Sequence, residues 1–503
     1  MIKNIHVLNF FSSAFNSIKR NNLTTMNKTT PPSYEATVKV LNSLQSFTGK
    51  LSKHPGKSKL QFMKSMLYRC SVSSQELDQL SVIHVAGTKG KGSTCVLCEQ
   101  LLLKKGYRTG LLTSPHLITV TERFRIDGKY ISEDMFVLYF WNIYNSIIQK
   151  FKQNNAEEKP SYSMFLTIMA IKIFLNEKVD VAIIETGVGG EYDYTNILRK
   201  VPVVGISSLG FDHTNVLGNT LSDIAWQKCG IMKPHSVTII ANNQPYETYK
   251  TIINRSIEKQ TILFESPPFN TYECYKNIKQ FGKYSPIQEI NASLAIQLVN
   301  FWINRHKFNE LTNKCKIGSQ GIKQAPVWKL TSNDLHVFEN FKWPGRNQVL
   351  CKAPNLTYYL DGAHTVESIE LCKKWFTQLI DPSSKKTKNI LIFNVTGKRD
   401  YETFLKILLS ENRIDLVILC PIVTYLNENR PDTIDVNCDY KEELERCQQI
   451  KGTVKCCNVE VLGSIQQTIN FVSQLSSSNN DLQFQILVTG SLKLVGGVLD
   501  VLK

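Results

Sequence analysis

Lys91 stands among three glycines, Gly87, Gly90 and Gly92, with Thr88 and Lys89 before it and Ser93 and Thr94 after it. An apolar run at 82–86 leads into this turn, and a helical pattern continues from it to about residue 105. A strand, a glycine turn and a helix start together suit a triphosphate. Backbone N–H groups and the helix dipole favour phosphate oxygens, and small residues let the backbone come close. Lys91 would reach the β- and γ-oxygens as a point charge, while Ser93 or Thr94 would orient phosphate or Mg2+. The spacing departs from the usual phosphate loop, because Gly92 separates the lysine from the hydroxyl.

Other residues gain meaning from their position. Glu185 closes an apolar run, 179–185, and the ends of strands are where α/β sheets present site residues. A carboxylate there holds Mg2+ or caps a turn. His213 follows Asp212 in a polar loop, where a single histidine is either structural or a ligand. Lys228, between Trp226 and Gly230, reads by itself as a surface lysine. Arg346 binds an anion bidentately or forms a surface ion pair.

Taken in order, the motifs resemble the folylpolyglutamate synthase family, of eukaryotic type and Mur-ligase-like. The resemblance begins at 84–94. It continues through Thr113, Ser114, Pro115, His116 and Leu117, then 122–128, then 165–167 and 185–190. It runs on through Asp193 to Asn196, Asp212 with His213, Leu217 with Gly218, and 224–228. Trp343, Pro344, Gly345 and Arg346, then Asp361, Gly362, Ala363 and His364, then Gly490 with Ser491, complete it, so that it spans about Tyr34 to Lys503.

The resemblance implies ATP-dependent addition of L-glutamate to the γ-carboxylate of tetrahydrofolate polyglutamates through an acyl phosphate. It implies ATP and Mg2+ as cofactors and extends to a monovalent cation such as K+. Gly87 to Ser93, Asn291, Arg346 and Asp361 would bind nucleotide. Ser114, Glu185 and His213 would hold the metal. Lys91, Lys228 and His364 would act in catalysis, with Lys228 carbamylated as in related ligases. Ser491 would help to place the incoming glutamate or to organise the second domain. A dihydrofolate synthase or a bifunctional form would use the same machinery. A catalytically silent paralogue would have lost Lys91, Glu185 or Lys228, and all three are present.

Two departures from the family pattern stand out. Ile287 occupies a position where relatives often carry histidine, although Gln288 and Asn291 remain available. Glu191 adds a carboxylate close to the phosphate site in sequence.

The elements that must position these residues alternate. Strands are expected at 82–86, 109–113, 179–185, 201–207 and 237–241, with helices at 36–46, 133–150 and 164–176. The alternation restarts with strands at 356–360, 390–395, 416–419 and 485–489 and helices at 368–379 and 465–475. This predicts an α/β protein: a Mur-ligase-like phosphate-loop domain with a mostly parallel sheet over 35–335, and a smaller Rossmann-like α/β domain over 336–503. A polar segment at 304–324 connects them. At 503 residues, two substantial cores are required.

The formal net charge of +16 is spread along the chain without a nucleic-acid module, which suits nucleotide and polyanionic substrates. No apolar run is long enough to span a bilayer. The thirteen cysteines include one Cys-x-x-Cys pair, Cys95 and Cys98, inside an expected helix, so free thiols are expected rather than a zinc site or disulfide framework. Residues 1–34 contain no Asp or Glu, as in a mitochondrial leader, and Met26 offers an internal start. Mitochondrial or cytoplasmic location and a monomeric state follow by analogy.

Overall fold

The computed structural model describes residues 32–47, 56–154, 159–273, 286–308, 310, 317, 318, 320–380, 386–397, 399–411, 413–426 and 439–503. Most of the expected leader, and part of the polar segment at 304–324, lie outside these residues.

Two sheets carry the chain. The first contains β1 (Val82–Ala86), β2 (Thr109–Leu112), β3 (Phe124–Ile126), β4 (Lys129–Tyr130), β5 (Val181–Glu185), β6 (Val203–Ile206), β7 (Val237–Ile240), β8 (Ile262–Glu265) and β9 (Lys323–Gln324). Their spatial order is β4-β3-β2-β5-β1-β6-β7-β8-β9. All neighbours from β2 to β9 are parallel, and the antiparallel pairings, β2 with β3 and β3 with β4, lie at one edge.

β1 is buried on both faces: Val82 and Ala86 join one apolar cluster, and Ile83 and Val85 the other. That is why these strands read as continuous apolar runs rather than as alternating patterns.

The second sheet contains β10 (Gln348–Ala353), β11 (Leu356–Leu360), β12 (Thr387–Phe393), β13 (Leu416–Leu419), β14 (Asn458–Val461) and β15 (Gln483–Thr489), in the order β10-β11-β15-β12-β13-β14. Only β10 is antiparallel to its neighbour. Leu391 and Phe393 pack on one face and Ile390 and Ile392 on the other. The fold is the expected α/β class.

The described cysteines are all free. Cys95 and Cys98 are buried within the helix Lys91–Lys104, where they act as core filler. Among the described residues, no helix is long and apolar enough to cross a membrane.

Candidate active site

The parallel order puts the ends of β1, β2, β5 and β6 along one rim. Each gives way there to a loop that bears functional side chains. β1 turns through Gly87 (φ +148°) and Gly90 (φ +85°) into the helix Lys91–Lys104, with Gly90 as its N-cap. Both glycines are required. A Cβ on Gly87 would stand 1.9 Å from Ser207 Oγ, and one on Gly90 would stand 2.0 Å from Asn291 Oδ1. The N–H groups of Lys91, Gly92 and Ser93 have no carbonyl one turn back, as at any helix start, and remain available to an anion.

Two other loop donors are already committed. The N–H groups of Thr88 and Lys89 both donate to Ser208 O, at 2.9 and 3.0 Å. The Lys89 ammonium lies 2.9 Å from Glu367 Oε2, on the helix Val366–Leu379 of the second sheet.

Glu185 ends β5 and is 5% exposed. Its Oε2 accepts the Ser114 N–H at 2.8 Å. Burial raises its pKa, opposed first by Lys91, then by that hydrogen bond and by Arg346. The loop after β2 is tied down by Glu122, whose carboxylate accepts the N–H groups of Leu117, Ile118 and Thr119 at 2.8, 3.1 and 3.0 Å.

His213 is partly exposed, and its Nε2 lies 3.6 Å from Asp212 Oδ2. Burial lowers its pKa, with Lys228 and Lys91 acting in the same direction and Asp212 opposing them.

Lys228 is no surface lysine. It is 3% exposed, and its Nζ donates to Gly87 O at 2.7 Å. Burial, and then the charge of Lys91, lower its pKa to about 7.

From the second sheet, Asp361 Oδ2 accepts the Asn347 N–H at 2.8 Å. Burial raises its pKa, with Arg346 opposing. A Cβ on Gly362 would meet Arg346 Nη1 at 2.7 Å, so the guanidinium lies against that glycine. His364 Nδ1 donates to Gly362 O at 2.7 Å, which leaves Nε2 as an acceptor. Burial, followed by the charge of Arg399, lowers the His364 pKa to about 4, so the ring is neutral at physiological pH. Ser491 is buried and caps the helix Leu492–Val501.

One cavity of about 560 Å³ joins these groups. It takes in Thr88 to Ser93, Ser114, Glu185, His213 and Asn291 from the first half of the chain, and Arg346, Asp361, His364 and Ser491 from the second. Gly87 and Lys228 stand just behind it, joined by their own hydrogen bond.

The residues suit a nucleotide. Asn291 Oδ1 and Gln288 Oε1 are buried without partners beside the phosphate loop, and both side chains line the cavity. For a divalent ion the protein offers one buried carboxylate, a hydroxyl and an imidazole. Among the described residues, no three His, Cys, Asp or Glu side chains form a cage. Such an incomplete oxygen-rich set fits Mg2+ that keeps water and phosphate oxygens in its shell.

The cavity also holds residues that the sequence pattern left without a role. Arg399 donates to Thr396 Oγ1 at 2.7 Å, and Arg123 Nε donates to His116 Nδ1 at 2.9 Å. Asp193 accepts the N–H groups of Gly187 and Val188 at 3.0 and 3.3 Å, fixing the loop that follows Glu185.

Glu191 neither crowds the phosphate site nor simply faces water. It pairs with Arg255 and with Lys259, the latter at 3.0 Å. Arg255 is 2% exposed and stacks over Trp226 at 4.3 Å, two residues from Lys228. Glu191→Ala would leave the buried guanidinium with Glu258, at 2.6 Å, as its remaining carboxylate partner. The expected cost is about 2 kcal/mol of stability, between that of an exposed pair and that of a fully stranded buried charge, read from urea unfolding. A loss below about 1 kcal/mol would show that Glu258 alone suffices to compensate Arg255.

Comparisons with known proteins agree with this geometry. Residues 349–501 match the family described as dihydrofolate synthetase, C-terminal domain. The mitochondrial folylpolyglutamate synthase of Homo sapiens is 39% identical over 428 residues, which is 82% of this chain and 72% of that protein. A putative folylpolyglutamate synthase of Caenorhabditis elegans is 34% identical over 93% of this chain and 92% of its own length. Among solved structures, a Mycobacterium tuberculosis folylpolyglutamate synthase complexed with ADP superposes with a TM-score of 0.70 at 21% identity. The match covers 93% of this chain and 99% of that one.

Proposed function

The chain belongs to the folylpolyglutamate synthase family, which adds glutamate to folates in an ATP-dependent reaction, and on that premise we propose how its own residues divide the work. The observation that carries the proposal is the single cavity in which the phosphate loop and Glu185 face Arg346, Asp361 and His364 across the two sheets.

ATP takes the loop from Gly87 to Ser93, with Lys91 and the free helix N–H groups against its phosphates. Asn291, Arg346 and Asp361 hold the rest of the nucleotide. Ser114, Glu185 and His213 would hold Mg2+, which supplies charge neutralisation for the transferred phosphoryl group. The γ-carboxylate of the folate attacks the terminal phosphorus in line, the bond to the β-phosphate oxygen breaks, ADP leaves, and an acyl phosphate forms. The amine of L-glutamate then attacks the activated carbonyl, and amide and phosphate form.

His364 presents its Nε2 lone pair to that amine, because Nδ1–H is already spent on Gly362 O. Arg399 lies close enough for its charge to act on His364, and it is a cation for the carboxylates of the glutamate. The folate rests against the wall of Leu166, Thr167 and Tyr194. Enclosure between the two sheets keeps water from the acyl phosphate and brings amine and carbonyl together.

The working unit is a monomer, since one chain supplies every group named. Mitochondrial location follows the name of the human relative and the acidic-poor start of the chain.

The test is ADP release and incorporation of labelled L-glutamate by the full chain with Mg-ATP. Tetrahydrofolate monoglutamate and dihydropteroate are supplied in separate reactions. Incorporation dependent on the folate is the expected result. Incorporation with dihydropteroate alone would instead give the dihydrofolate synthase reading, which the family match at 349–501 keeps in view. No incorporation with either acceptor would leave a silent nucleotide-binding protein.

A further inference from the structure

The geometry points to one more group in the phosphate site: we propose that the indole N–H of Trp343 donates to the terminal phosphoryl group of bound ATP, so that the segment joining the two sheets completes the phosphate-binding shell. This rests on the reading that the cavity binds ATP.

Trp343 lies between β9 and β10, where the chain passes from the first sheet to the second. Its ring packs against the apolar cluster that contains Ile83, Val85 and Cys95, which line one side of the phosphate-loop strand and helix. The polar edge faces the other way. A Cβ built on Gly92, the second residue of the helix, would stand 3.6 Å from Trp343 Nε1 and 3.4 Å from Glu185 Oε2. Indole nitrogen, metal-site carboxylate and helix start therefore converge on one point.

Indole nitrogen is a donor only. Among the described residues no acceptor takes this N–H, and Trp343 lines the cavity. The turn that carries it is closed by the Arg346 N–H donating to Trp343 O at 3.2 Å. One turn thus brings a neutral donor and a guanidinium to the same place, and Arg346 is near enough for its charge to act on Glu185.

A neutral donor at this point adds to those of Lys91 and the helix start. A phosphoryl group in transfer spreads its charge over three oxygens, and catalysis is largely the placing of donors around them. Thr88 and Lys89 do not supply them from this loop: their N–H groups serve Ser208 O, and the Lys89 ammonium serves Glu367. Trp343 supplies a donor without adding charge beside Glu185.

The test separates the terminal phosphate from the rest of the nucleotide. Trp343→Phe keeps the ring against its apolar cluster and removes the N–H. Affinities for ADP and for the β,γ-methylene analogue of ATP are measured on the full chain by titration calorimetry with Mg2+. Affinity for the analogue is expected to fall about tenfold, the effect of one hydrogen bond to a charged group, with ADP binding unchanged. Equal losses for both nucleotides, or no loss for either, would overturn the proposal, since a purely structural ring would not distinguish them. Should the phenylalanine variant fail to fold, 3-benzothienylalanine at position 343 keeps the shape of tryptophan without its N–H, and the same two outcomes decide. Glutamate incorporation by the wild type is scored separately. Incorporation without discrimination between the nucleotides overturns the Trp343 donor alone. Discrimination without incorporation supports the donor and overturns the ligase reading.

Discussion

Lys91→Ala is expected to lower folate-dependent ADP release by roughly a thousandfold at saturating ATP, the scale of losing a principal electrostatic group at a transferred charge. The residue opens the helix Lys91–Lys104, where alanine is a good helix former, so the fold should survive. Two effects add. The first is loss of the point charge beside the β/γ-oxygens. The second runs through Glu185, which is buried and whose ionised form is supported first of all by Lys91. Without that lysine the ionised form of Glu185 loses its first support, and the metal site weakens. The variant should therefore also need more Mg2+. The measurement is turnover against Mg2+ concentration. Turnover within about tenfold of wild type would place the essential charge elsewhere, and an unchanged Mg2+ requirement would refute the coupling through Glu185.

The pattern of the site was legible because phosphate binding demands small residues and fixed order. Gly87 and Gly90 cannot be replaced without striking Ser207 or Asn291, so the chemistry is written in residue types. β1, β11 and β13 were legible for a related reason: strands covered on both faces are largely apolar, with His84 and Thr357 as the exceptions here. β8 escaped despite its apolar run, and the other strands that escaped lack one. β10 and β14 are edge strands whose side chains alternate between partly buried and exposed, and β9 has two residues. The hairpin of β3 and β4 did carry a signal, Asp127 and Gly128, both at positive φ, which is the two-residue turn such a hairpin favours.

What sequence order could not show is which groups are already occupied. Lys89 reads as a free cation of the loop until Glu367 is seen beside it, and Glu191 reads as an unwelcome charge until Arg255 appears. Lys228 reads as a surface residue because one polar side chain in a helix says nothing about what covers it. It is buried, and its Nζ reaches the glycine loop of a strand 141 residues earlier.

That burial sets up the second large effect. Lys228 has a pKa of about 7, so at pH 8 most of it is the free amine, and only the free amine can add CO2. In that addition the nitrogen lone pair bonds to carbon and a proton is released, leaving a carbamate with one N–H. The site offers Lys228 Nζ one acceptor, Gly87 O, which matches that single N–H better than it matches the three of an ammonium. Turnover is accordingly expected to rise between pH 6 and pH 8 and to depend on dissolved CO2. Lys228→Met should cost at least about a hundredfold, in line with removal of a principal electrostatic group. Labelled bicarbonate followed by carbon-13 NMR checks the modification directly: a carbamate resonance in the wild type, absent from Lys228→Met, is the expected outcome.

Stability carries the same signature. The folded-state pKa lies below the 10.5 of an ordinary lysine, so between about pH 7 and 10.5 the unfolded chain binds more protons and folding is favoured as pH rises. Below about pH 7 the lysine is protonated in both states, and the fold bears the full cost of burying its charge. Lys233, also depressed, to about 8, acts in the same direction, so the informative quantity is the difference in slope between wild type and Lys228→Met. Identical slopes in urea unfolding across that window, together with no carbamate signal, would mean that Lys228 is an ordinary charged lysine and that the negative charge beside the metal must come from Glu185 alone.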